Sequence, residues 1–175
     1  MTPRPLSFAR SRRGTAALEF AIVAPVFLSL IFSCFEGGWY MTKSMLLDRA
    51  LNKTVRLMRI GAAGAPTTQQ AVKQAVCDEM MIISNCLNVL TVEMTKITSA
   101  SDFPTTQMPC IDRGATIQPT IAFTPGSRSS IMFIRACVVS DPLTPGLGFA
   151  LALPKDSLGG YGLRAAAAFM NEPSS

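Results

Sequence analysis

The 175-residue chain has no histidine, which removes the commonest general base and the commonest metal ligand. Charge is also scarce. Only 15% of residues are Asp, Glu, Lys or Arg, against about 25% in an ordinary soluble domain. Apolar residues make up 49% of the chain and its mean hydropathy is +0.32. Either the core is unusually large, or part of that content meets lipid. The cysteines lack the paired CxxC spacing of a zinc ribbon, and no GxSxG, P-loop or paired-carboxylate pattern is present. The chain therefore reads as non-enzymatic, with no metal and no cofactor. The net charge of +5 is mostly local. Arg4, Arg10, Arg12 and Arg13 stand in an N-terminal stretch without acids, whereas from Thr15 onward basic and acidic residues nearly balance. A short basic tail is not a nucleic-acid surface, and no nucleic-acid partner is expected.

What the sequence does have is one long apolar run, Thr15 to Phe35. As a helix rising 1.5 Å per residue it extends about 31 Å, enough to cross a hydrocarbon core of about 30 Å. Trp39 and Tyr40 follow it, and together with Arg12 and Arg13 before it they mark the two membrane interfaces. Pro25 is tolerable in a membrane helix. The positive-inside bias puts the arginine-bearing N-terminus in the cytoplasm and the remainder across the membrane. A conventional secretory signal has a shorter apolar region and a small-residue cleavage site. This run instead carries Glu19 and ends in bulky residues. A lipoprotein signal would place a small residue where Phe32 stands before Cys34, so it fits less well.

Past Tyr40 an amphipathic pattern continues the helix. Met41, Leu47, Leu51, Val55 and Met58 form its apolar stripe, Lys43, Asp48, Arg49, Lys53, Arg56 and Arg59 lie between them, and Gly61 is the stop. The Gly37-Gly38 pair is a site for a bend. A second helix is expected after Pro66, with Thr67 as N-cap, Gln70 closing a capping box, and Val72, Val76, Met80 and Ile83 on one face. Leu90–Met94 alternates like a half-buried strand, and Ile131–Val139 reads as a central strand. Between them 104–130 is a loop with a short strand near Ile117–Phe123. Leu147–Leu153 suits a short helix. Tyr161–Met170 is read as a third antiparallel strand, although its alanines also favour helix. The fold class is α+β: a long transmembrane helix continuing into a small extracytoplasmic domain with a second helix and about three antiparallel strands.

Five cysteines divide into one and four. Cys34 lies in the apolar run, where a thiol behaves as a small hydrophobe. Cys77, Cys86, Cys110 and Cys137 fall in the extracytoplasmic part, where an even count suggests two disulfides. Three pairings are possible; proximity along the chain favours Cys77 with Cys86 and Cys110 with Cys137.

Glu19 is the odd residue of the apolar run. It is either a carboxylate kept wet at the cytoplasmic interface or one that waits for a positive partner. Its surroundings, Arg12-Arg13-Gly14-Thr15-Ala-Ala-Leu-Glu19-Phe20, resemble a type IV prepilin signal. There, cleavage follows the glycine and the fifth mature residue is glutamate. Cutting after Gly14 would create an ammonium at Thr15, and in a bundle of such helices Glu19 could neutralise that of a neighbour. The longer stretch Arg13 to Leu28, and the ending Phe169-Met-Asn-Glu-Pro173, are similar to the TadE-like minor pseudopilins of the tight-adherence (Flp) pilus system. That resemblance implies a leader at 1–14, a transmembrane helix at 15–36 and a pseudopilin domain at 37–175. It also implies a prepilin peptidase, other pseudopilins and pilus assembly membrane proteins as partners, with the lipid bilayer around the helix. The location implied is the bacterial inner membrane with the domain in the periplasm, and incorporation into a surface pilus is open. Flp major pilins are much shorter, so a domain of this size points to a minor component. The competing classes are a single-span anchored binding or adhesin-like domain, favoured if Gly14 stays uncut, and a membrane-bound enzyme.

Overall fold

The computed structural model describes residues 13–172, with side chains from Thr15 onward. Three helices, α1 (Arg13–Arg59), α2 (Gln69–Glu79) and α3 (Cys86–Val89), and three strands, β1 (Leu90–Ile97), β2 (Ile131–Ser140) and β3 (Tyr161–Met170), make up the α+β fold. The apolar run and the amphipathic stripe form one helix of 47 residues that continues through Gly37 and Gly38. It stops where the sequence supplies a left-handed residue. Gly61 has φ +58°, its N–H donates to Met58 O, and the Ala62 N–H reaches back to Leu57 O at 3.1 Å. These two bonds form a Schellman cap, which glycine adopts without a Cβ penalty.

The stripe on α1 differs from the expected one at its membrane-proximal end. Leu47, Leu51 and Val55 are buried, but Met41 is exposed and Lys43, expected on the polar face, is buried with Glu36. Glu36, Lys43, Leu47, Ala50 and Thr54 repeat every three to seven residues, so they share one helix face. The buried face simply begins with charged residues. Helix α2 is capped one residue later than expected: the Thr68 side chain, not that of Thr67, accepts from Ala71 N. Gln70 therefore does not close a capping box. The helix also ends at Glu79, so Ile83 is buried from the following turn.

The sheet is antiparallel in the order β1-β2-β3. Period-two alternation puts Leu90, Val92 and Met94 of β1, Met132, Ile134, Ala136 and Val138 of β2, and Leu163, Ala165 and Phe169 of β3 on the face toward α1 and α2, where all are buried. The register sets Leu90, Val138 and Leu163 in one row and Val92, Ala136 and Ala165 in the next. β3 takes the strand alternative for its alanines because every second residue meets this core, a tertiary gain that outweighs helix propensity.

The other face is covered by the Pro- and Thr-rich segment. Cys110 is bonded to Cys137, Arg135 Nη1 donates to Thr106 O at 2.7 Å, and Phe103 packs edge-on against Phe133. The strand expected near Ile117–Phe123 reduces to one bridge, Met94 with Phe123. With few side chains facing inward, that segment is held by bonds to β1 and not by a ladder of its own. The helix expected at Leu147–Leu153 is one 3-10 turn, Gly148–Leu151.

Candidate functional site

Two regions of α1 carry polar chemistry. The first is the N-terminal motif. Arg12 lies outside the described residues. Arg13 and Gly14 open α1, and Thr15 and Glu19 follow one turn apart, both exposed. Beyond them Leu18, Phe20, Ile22, Val23, Val26, Phe27, Leu28 and Leu30 are all exposed. The most apolar 18-residue window of this helix has a mean hydropathy of 2.2, and none of it is buried. A core helix of a soluble protein would cover such a window. The same helix then runs on into the domain core as Leu47, Ala50 and Leu51, so a cut at the end of the apolar run would sever a core element.

The second region lies where α1 enters the domain, and its key residues, Glu36 and Lys43, were not singled out from the sequence. Glu36 is fully buried. Its Oε2 accepts from Thr144 N at 2.7 Å and from the Thr144 hydroxyl at 3.0 Å, while Oε1 has no hydrogen-bond partner among the described residues. Seven residues on, Lys43 Nζ donates to Ser140 Oγ at 2.7 Å, Asp141 O at 3.1 Å and the Tyr161 hydroxyl at 3.4 Å. Burial lowers the Lys43 pKa, opposed by the charges of Glu36 and Asp141. Burial and then the Glu36 charge push the Tyr161 phenol up to about 12. The one available signal was that Glu36 is the first charge after Glu19 and stands seven residues, two helical turns, before Lys43.

Of the two aromatics expected at the interface, Tyr40 is half-buried between Tyr161 and Phe149, at centroid distances of 5.4 and 5.9 Å. Trp39 stays at the surface with Lys43 Nζ 5.3 Å from its ring centroid. The segment 141–153 is pinned to this end of α1. Besides the Thr144 bonds to Glu36, Phe149 N donates to Ser33 Oγ at 3.2 Å. Gly148, at φ +54°, lies so close to Ser33 and Ser29 that a Cβ would collide with the Ser33 hydroxyl. A second network braces the same base: Arg113 Nε donates to Asp156 Oδ2 at 2.6 Å, and its Nη2 to Asp141 Oδ1 at 2.7 Å. The disulfides join Cys77 to Cys86 and Cys110 to Cys137, while Cys34 is free and exposed on α1. No cluster of metal-ligating side chains occurs among the described residues.

The geometry defines a protein whose domain hangs on one helix long and apolar enough to cross a membrane. Residues 14–56 match the family model described as TadE-like protein. The matched stretch is about a quarter of the chain; it starts at the glycine of the N-terminal motif and covers the whole apolar run together with Glu36 and Lys43. No curated protein and no solved structure matches the chain.

Proposed function

We propose that the protein is a minor pseudopilin that takes part in assembly or initiation of a Tad/Flp pilus, with a structural and not a catalytic role. In this reading a prepilin peptidase cuts between Gly14 and Thr15, residues 15–36 hold the chain in the inner membrane, and the domain from residue 37 stands in the periplasm. The observation that carries the reading is α1 itself. An uncovered apolar helix bearing Gly14 and Glu19 continues without interruption into the domain core. Such a helix is suited to lateral packing in a bundle and unsuited to removal as an ordinary signal.

Glu19 supplies the specificity of that packing. An acidic side chain costs about 2.5–3.5 kcal/mol at the centre of a membrane helix, and less near an end, where Glu19 sits. Cleavage leaves a second charge, the Thr15 ammonium. Side by side in a bundle, the carboxylate of one chain and the ammonium of the next neutralise each other, with an axial offset of about one turn. Breaking one partner of a buried pair costs about 3–5 kcal/mol. Half of that weakens a contact more than tenfold.

The test is Glu19→Gln in cells that carry the pilus machinery. Membrane insertion and cleavage at Gly14 should persist, while co-purification with other pseudopilins and piliation should fall, with Glu19→Asp intermediate. Full piliation at normal protein levels would mean that Glu19 is only a wetted surface carboxylate. An uncut, pilus-independent chain would favour an anchored binding domain instead.

A further inference from the structure

The segment that caps the foot of the domain has an unusual composition. Pro142 to Pro154 reads Pro-Leu-Thr-Pro-Gly-Leu-Gly-Phe-Ala-Leu-Ala-Leu-Pro, with no charged residue and with Thr144 as its one polar side chain. That hydroxyl is already taken by Glu36. Leu143, Leu147 and Leu151 point outward, with 47–62% of their surface exposed, and Phe149, packed on Tyr40, keeps 37% exposed. Four exposed apolar residues in a stretch this short form a patch that single scattered surface leucines do not.

The height of this patch on α1 says what covers it. The segment touches Glu36 through Thr144, Ser33 through Phe149 N, and both Ser33 and Ser29 through Gly148. The part of the apolar run left uncovered below it, residues 15–28, is about 21 Å long. That is too short for a hydrocarbon core of about 30 Å, and the arginines before Thr15 prevent the span from being extended toward the N-terminus. Ser29 to Phe35 must therefore lie at membrane depth, and the segment resting on them lies there too. Ser29 is about 9 Å below Phe35 along the axis, within the 5–10 Å to which interfacial apolar faces enter the headgroup–acyl boundary.

We propose that Pro142–Pro154 is a second membrane contact, an interfacial loop whose Leu143, Leu147, Phe149 and Leu151 enter the outer boundary of the bilayer beside the helix. The inference rests on the reading of α1 as a membrane span. Irregular backbone is not tolerated in free contact with hydrocarbon, and here the segment is tied inward. Thr144 N donates to Glu36, Phe149 N to Ser33, and Ala152 N to Phe149 O. The side chains enter while the backbone stays against α1. The loop fixes the height and tilt of the domain over the membrane, so a neighbouring chain meets it in one orientation.

Trp39 is the only tryptophan, so a Trp39→Phe background gives a silent full-length chain. Into it are placed Leu151→Trp, Leu143→Trp, Phe27→Trp within the span, and Ile60→Trp, about 36 Å along α1 from Glu36. Each is reconstituted in phosphatidylethanolamine/phosphatidylglycerol vesicles whose acyl chains are brominated, in parallel preparations, near the headgroup end for positions 143, 151 and 60 and near the chain ends for position 27. Tryptophan at 151 and at 143 should lose most of its emission, as should that at 27, whereas position 60 should lose none. Quenching at 27 but not at 143 or 151 would overturn the inference. Blue-shifted but unquenched emission at those two positions would overturn it in favour of a second copy covering the patch. If position 27 is unquenched, the membrane reading itself fails, and the two failures are thereby told apart.

Discussion

Lys43→Met keeps most of the buried stem and deletes the ammonium. In the folded protein that ammonium makes two good hydrogen bonds, to Ser140 Oγ and Asp141 O, and a longer one to Tyr161. Bonds from a charged donor contribute about 1.5–3 kcal/mol each, and removing the buried cation recovers part of its desolvation cost. The larger effect falls on Glu36, which remains fully buried with the Thr144 bonds and the Tyr161 hydroxyl beside it. Weighing these, and since the Lys43 charge acts on Glu36 at a distance and not through a direct ion pair, the substitution should cost about 1–3 kcal/mol. Pulse proteolysis in detergent across a urea series reads this as a lower unfolding midpoint. Glu36→Gln in the same background should recover more than about 1 kcal/mol, because the two sites are coupled and not additive. A loss under about 0.5 kcal/mol, or strictly additive effects, would refute the idea that Glu36 and Lys43 act together in holding α1 to the domain.

Gly37→Ala and Gly38→Ala should each raise stability by about 0.5–1 kcal/mol, since a Cβ at either position meets nothing within 4 Å; unfolding midpoints of the variants check this. Alkylation under non-reducing denaturing conditions should label one thiol per chain, Cys34, and Cys110→Ser with Cys137→Ser should cost about 2–4 kcal/mol; five labelled thiols would mean the domain is not in an oxidising compartment. Because the Tyr161 phenol is raised from 10.0 to about 12 in the fold, the native state holds more protons than the unfolded one in that window. Stability should thus be complete below pH 10 and fall toward pH 12, and Tyr161→Phe should flatten the fall. Lys43 works in the opposite direction, since its lowered pKa makes stability rise with pH up to its ordinary 10.5, so it cannot produce that loss.

The features legible in the sequence were those written in local pattern. An uncharged stretch between Glu19 and Glu36 announces α1, and the near-continuous run Ile131–Val139 announces the central strand. Cysteines nine and 27 residues apart pair as neighbours. What escaped depends on contacts distant in sequence. Lys43 looks like a solvent-side lysine until Ser140 and Tyr161 are brought over it, and Glu36 looks like the end of an apolar run until Thr144 arrives from 108 residues away. The choice of Thr68 over Thr67 as N-cap turns on one residue of backbone geometry, which composition does not encode. Leu147–Leu153 has the apolar content of a helix but holds Gly148 in a left-handed conformation against Ser33, and that contact limits it to a single turn.

If Gly14 is a processing site, Glu19 is the fifth residue of the mature chain. Mass spectrometry of the protein extracted from membranes of cells with an active prepilin peptidase tests it most directly. The expected result is a chain of 161 residues beginning at Thr15, its two disulfides intact. An unprocessed chain of 175 residues in those cells would contradict it.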